Sequence, residues 1–337
     1  MPAARRGAAI RRIAASLFLL QALAACGSLP RGALAGDPTP ADRVTVTAGP
    51  LESVPFHPQL VHHCGPAALA TILAASGVDA DPLLLAERVY VPARRGSFQV
   101  ELVAATRSAG RIPWLVDGAL EAVAAEVAAG RPVLVLQNLG LPAAPRWHYA
   151  VVVGIDADTV TLRSGSSARL RTSSRSFLRS WNWAGRWGLV ALRPGEWPAR
   201  PEPRRWLATM SDLELVGASQ LATAGLEAAT ARWPGESLAW FALGNARYRA
   251  GRRADALAAW HRATRLDPGF AAGWNNLAQV QVDLGCATEA RTSLARGLAV
   301  ARDPAERRAL EATAHGVADV QPASSTASAC SSASGSP

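Results

Sequence analysis

The chain has 337 residues, more than twice the length of a typical single domain, so two folded units with appendages are expected. A hydrophobic fraction of 49% and a charged fraction of 18% supply apolar side chains for real cores and exclude wholesale disorder and a collagen-like fibre. The net charge of +9 arises from 35 basic residues, all Arg, of which Arg5, Arg6, Arg11 and Arg12 lie in the acid-free first 25 residues. The remaining positive charge is spread thinly without a basic run, so a nucleic-acid partner is not supported. Four cysteines in so long a chain do not make a disulfide scaffold.

Met1 to Arg12 is basic, Ile13 to Ala25 is apolar, and Cys26 follows directly. The apolar run is too short for a permanent membrane span, so residues 1–25 read as an export signal. Its end, Leu23-Ala24-Ala25-Cys26-Gly27, resembles a bacterial lipoprotein signal. The resemblance implies cleavage after Ala25 and lipidation of Cys26. The alternative is ordinary cleavage at a small-residue site, with Cys26 incidental. Several acyl chains would hold the protein on a membrane stably, where one would not. Gly27, rather than Asp, implies by the same resemblance an outer-membrane, periplasm-facing place in the cell envelope. Residues 26–48 hold Gly, Pro, Asp and Thr without hydrophobic periodicity and read as a tether.

Residues 49–195 should form a mixed domain. The pattern predicts helices near 65–75, 82–89, 99–109 and 119–129, and strands near 113–116, 132–137, 148–155, 159–164 and 187–192. Trp181, Trp183 and Trp187 are expected in the core and in a final strand pair. Within the domain Cys64-Gly65-Pro66 opens an Ala- and Leu-rich helix, with Pro66 suited to its first turn. A thiol at a helix N-terminus meets unsatisfied N–H groups and the helix dipole, which favour the thiolate and should lower its pKa. A buried structural Cys is the plain alternative, but Gly65 leaves the thiol accessible. His148 opens a β-branched strand some eighty residues later, where it could serve as base. His57, His62 and His63 crowd the thiol. Their spacing is not that of a structural zinc site, so they are read as cleft-wall or surface residues, and no metal or other cofactor is expected. The loop from Val91 to Ser97 either lines the cleft or merely connects two helices.

Helix-start Cys64 and strand-start His148, in that order, resemble the papain-like bacteriocin-processing peptidases, family thirty-nine of that group, and especially their exported stand-alone relatives. The likeness covers about residues 50–195. It implies an α+β papain-like cysteine peptidase domain and catalysis by Cys64 and His148. It also implies that Gln59, shortly before the Cys, helps hold the oxyanion, each such donor being worth ~3 kcal/mol. Small residues such as Gly-Gly are the implied cleavage sites. One element departs from the family, which places an Asp on the strand after the His. If Ile155 pairs with Thr159, the paired numbers sum to 314 and Ser164 takes that place beside His148. Asp156 and Asp158 then lie at the turn, roughly 25 Å along the strand. Asn138 and Asn182 are alternative partners for the imidazole.

Pro- and Arg-rich residues 196–205 read as a linker. From there a period of 34 runs through the chain: Trp240 recurs as Trp274, Leu243 as Leu277, Ala256 as Ala290 and Pro234 as Pro268. The unit resembles the tetratricopeptide repeat, so residues 206–318 are expected to be an all-α array, with a degenerate first unit (Trp206 to Pro234) and a capping helix at 305–317. Such an array binds a peptide or protein partner, or else only supports its neighbour. Cys286 and His261 are expected only to pack or face solvent. Residues 319–337, mainly Ser and Ala around Cys330, read as a disordered tail. Together these features predict a lipid-anchored thiol peptidase acting on a peptide or protein substrate. The rivals are an inactive peptide-binding scaffold and a thiol-dependent amidase or acyl transferase on cell-wall material.

Overall fold

The computed structural model describes residues 47–59 and 62–318. The export signal, Cys26 with nearly all of the tether, and the tail with Cys330 lie outside the described residues. No described helix is long and apolar enough to cross a membrane.

Among the described residues three α-helices come first: α1 (Cys64–Ala75), α2 (Pro82–Val89) and α3 (Gln99–Ser108). The start of α2 shows why: Pro82 presets the first turn, and the Asp81 carboxylate accepts the Leu83 N–H at 2.8 Å. There follow β1 (Ile112–Leu115), α4 (Leu120–Ala128), β2 (Val133–Asn138), β3 (Trp147–Ile155) and β4 (Thr159–Ser164). Next come β5 (Ser167–Ser173), α5 (Ser174–Asn182) and β6 (Gly188–Leu192). The six strands form one antiparallel sheet in the order β1-β6-β2-β3-β4-β5. Alternation assigns each face. Leu134, Leu136, Tyr149 and Val151 point to the side covered by α1, while Val135, Ala150, Val152 and Leu162 point to the side covered by α4 and α5.

The final strand pair expected around Trp181 and Trp187 is corrected: Trp181 lies on α5, fully buried, and Trp187 precedes the single strand β6. The register at the β3–β4 turn is also corrected, since Ile155 pairs with Val160 rather than Thr159. Asp156 accepts the N–H groups of Asp158 and Thr159 and makes the turn one residue longer. A bulge at Val153 absorbs the extra residue, and Val152–Leu162 and Val151–Arg163 return to the expected pairing.

The remaining helices are α6 (Pro203–Leu215), α7 (Ser219–Arg232), α8 (Ser237–Arg249), α9 (Arg253–Leu266), α10 (Ala271–Asp283), α11 (Ala287–Val300) and α12 (Pro304–Ala318). The recurrence of Trp with Pro has a physical cause. The Trp240 indole donates to the Pro234 carbonyl at 2.9 Å, and Trp274 donates to Pro268 at 2.8 Å. Small residues set the helix spacing, because a Cβ on Gly244 would collide with the Trp260 ring. Cys286 is more than a packing residue, being buried at the start of α11 and disulfide-bonded. The array is continuous with the sheet domain. Trp206 of α6 stacks near Trp114 of β1 and Trp197, with centroids 6.2 and 4.3 Å away, so one apolar cluster runs through both.

Candidate active site

Cys64 is the first residue of α1, and no side chain caps that helix. The backbone amides of Tyr149, Gly65 and Cys64 itself lie close enough to its sulfur to favour the thiolate. His62, at φ 67°, turns the chain sharply two residues earlier. Gly65 serves closeness rather than exposure. A Cβ there would lie 2.6 Å from Ser97 Oγ, so the loop from Val91 to Ser97 lies directly against the helix start and is no mere connector.

The Tyr149 amide near the sulfur belongs to β3, one residue after His148. His148 Nε2 lies 2.8 Å from Ser164 Oγ, at the end of β4. Gln59 arrives from the N-terminal strap. Its backbone N–H donates to the Gly165 carbonyl at 3.0 Å, and its side-chain amide donates to the Tyr149 carbonyl at 3.2 Å. Cys64, His148, Ser164 and Gln59 therefore converge on one end of the β3–β4 pair. The ladder between those strands stops at Val151–Arg163, which leaves the Tyr149 N–H and C=O for the sulfur and the Gln59 amide.

The alternative imidazole partners are engaged elsewhere. Asn138 accepts the N–H groups of Gly140 and Arg146 and donates to the Leu141 carbonyl, bracing the β2–β3 hairpin. Asn182 accepts from Arg186. Asp156 and Asp158 lie at the β3–β4 turn. Among the described residues, no three His, Cys, Asp or Glu side chains gather as metal donors.

The expected lowering of the thiol pKa is corrected. Burial pushes the Cys64 thiol up, and the backbone N–H groups that oppose this only reduce the shift. Burial, with Arg146 nearby, pushes the His148 imidazole down. The two shifts favour the neutral thiol and the neutral imidazole, and a neutral imidazole can accept a proton. Reasoning from sequence missed Tyr149, whose contribution is made by the backbone and carries no side-chain signature. It singled out the loop holding Ser97 without assigning that residue a place.

The chain thus folds as a mixed α+β sheet domain that resembles a C39-like peptidase, followed by a helical tetratricopeptide-like array. Residues 51–187 match the family model described as Peptidase_C39 like family, and residues 237–270 match a tetratricopeptide repeat. No curated protein matches the chain. Among solved structures, a C39-like peptidase from Bacillus anthracis is 18% identical with a TM-score of 0.39, covering 44% of this chain and 98% of its own. The TPR2B domain of yeast Sti1, solved in complex with pHsp70, is 13% identical with a TM-score of 0.34, covering 35% of this chain and 98% of its own. The Sgt2 TPR domain from Aspergillus fumigatus is 18% identical with a TM-score of 0.32, covering 36% and 82%.

Proposed function

We propose that the sheet domain is a cysteine peptidase. The observation that carries this is the gathering of the Cys64 sulfur near the Tyr149 amide, the His148–Ser164 pair and the Gln59 side chain at one end of the β3–β4 pair. His148 takes the thiol proton as the sulfur attacks a peptide carbonyl, forming a carbon–sulfur bond and a tetrahedral oxyanion. The Gln59 amide and the Cys64 N–H hold that oxyanion. His148 then passes the proton to the departing amine, leaving a thioester on Cys64. Water, deprotonated by His148, hydrolyses the thioester and regenerates the thiol.

The chain around this domain completes the proposal. Lipid on Cys26 holds the protein at the periplasmic side of an outer membrane, and the repeats bind the substrate or a partner protein. One observation favours a rival, a peptide-binding scaffold of low turnover: the imidazole partner is a hydroxyl, and burial pushes the thiol pKa up. An activity-based thiol probe separates the two. It should label Cys64 in the wild type and lose the site in Cys64→Ala. Labelling of His148→Ala at the wild-type rate would contradict the assignment of His148 as base.

A further inference from the structure

Arg163 is buried, 8% exposed, on the strand that ends at Ser164. Its guanidinium meets carbonyls: Nη2 donates to Val54 at 2.9 Å, to Leu51 at 3.3 Å and to Glu52 at 3.4 Å, and Nη1 donates to Ala168. Nε is buried without a partner. Burying a cation against carbonyls alone is costly, and an apolar side chain would fill the space more cheaply. What the guanidinium achieves is specific. Three of its four acceptors lie on one irregular segment, the strap that runs from Ala48 to Gln59.

The strap is fixed at both ends by other means. Ala48 pairs with Ile155, the Leu51 N–H donates to the Val153 carbonyl, and Pro50 lies over Gly154, where a Cβ would come within 3.1 Å. At the far end, Gln59 bonds to Gly165 and Tyr149. Arg163 grips the middle, where the chain has neither helix nor strand of its own.

We infer that Arg163 is a positioning residue that sets the strap, and through it the Gln59 amide, for the oxyanion. This rests on the peptidase reading above. A displacement of about 1 Å at such a distance costs on the order of 100-fold in rate, so Arg163→Met should lower kcat at least tenfold with little change in KM. Arg163→Lys, which keeps the charge but offers one donor centre, should fall between Arg163→Met and the wild type.

The test is a double-mutant cycle on the full chain with Gln59→Ala. Three readouts are used: kcat on a Gly-Gly aminocoumarin amide, the affinity for acetyl-glycyl-glycinal, and the rate of iodoacetamide alkylation at Cys64. The aldehyde adds to the thiol and develops charge on its oxygen, so its affinity should fall in Arg163→Met. Alkylation creates no oxyanion and should be unchanged. In the Gln59→Ala background, Arg163→Met should cost less than about twofold. A full additional loss in that background, or parallel losses in aldehyde affinity and alkylation, would overturn the positioning role. A wild-type protein that neither cleaves the amide nor binds the aldehyde would instead sink the peptidase reading on which the role depends.

Discussion

At the scale of single residues, the imidazole of His148 is held by Ser164 where a carboxylate would fix both its orientation and its charge. A hydroxyl can donate or accept, so it orients the ring without stabilising its protonated form. Burial then pushes the imidazole below its ordinary value of 6.5 and the thiol above 9.0. The rate on a peptide should therefore reach its plateau below pH 6.5, as His148 loses its proton, and rise again only above pH 9 as Cys64 ionises. Ser164→Ala removes one hydrogen bond, worth about 1 kcal/mol, and should slow turnover roughly fivefold. Ser164→Asp should move the acid limb of the profile to higher pH, because a carboxylate stabilises the imidazolium. An acid limb that stays in place in Ser164→Asp would show that residue 164 does not control the ring. The helix start at Cys64 and the meeting of His148 with Ser164 were legible from helix-start and strand-start placement and from strand register. The direction of the thiol shift was not, because Cys64 is buried against a cluster that includes Leu136, Tyr149 and Val151, all far from it in sequence.

At the scale of elements, the sheet shows which signals a sequence carries. Strands β2, β3 and β6 are nearly continuous apolar runs, and the structure places them centrally. Edge strand β5, Ser-Ala-Arg-Leu-Arg-Thr-Ser, is largely exposed and has little hydrophobic pattern to read. Helix α5 did leave a trace. Ser173 caps it, accepting the Ser176 N–H at 3.2 Å, and Phe177, Leu178 and Trp181 form its buried face. The Trp residues drew attention away from that spacing. The β3–β4 turn differed by one residue because the Asp156 side chain built it, yet the Val153 bulge returned Ser164 to His148. In the repeats, a methyl group on Gly244 meets the Trp260 ring, and overpacking of this kind costs about 1–3 kcal/mol. Gly244→Ala should lower the unfolding free energy measured in urea by that amount, moving the midpoint down, without changing Cys64 alkylation. An unchanged midpoint would mean that the helices separate freely.

At the scale of the whole molecule, the segment between sheet and repeats is structural. Trp197 packs between Trp206 and Trp233, and buried Glu126 binds Arg131 at 2.6 Å and the Ala199 N–H at 2.9 Å. Composition alone marked this stretch as a linker, since Pro and Arg dominate it and its partners lie far away in sequence. Removing residues 206–337 should expose the Trp114 side of the sheet and lower the melting temperature of the remaining domain. A truncated domain as stable as the full chain would show that the shared cluster contributes nothing. The proposed peptidase requires that Cys64 and His148 together break peptide bonds. Its most direct measurement is product formation, read by mass spectrometry, from a peptide library incubated with the wild type, Cys64→Ala and His148→Ala. The account predicts defined cleavage by the wild type and none by either variant. Cleavage that survives in Cys64→Ala, or binding without product in the wild type, would contradict it.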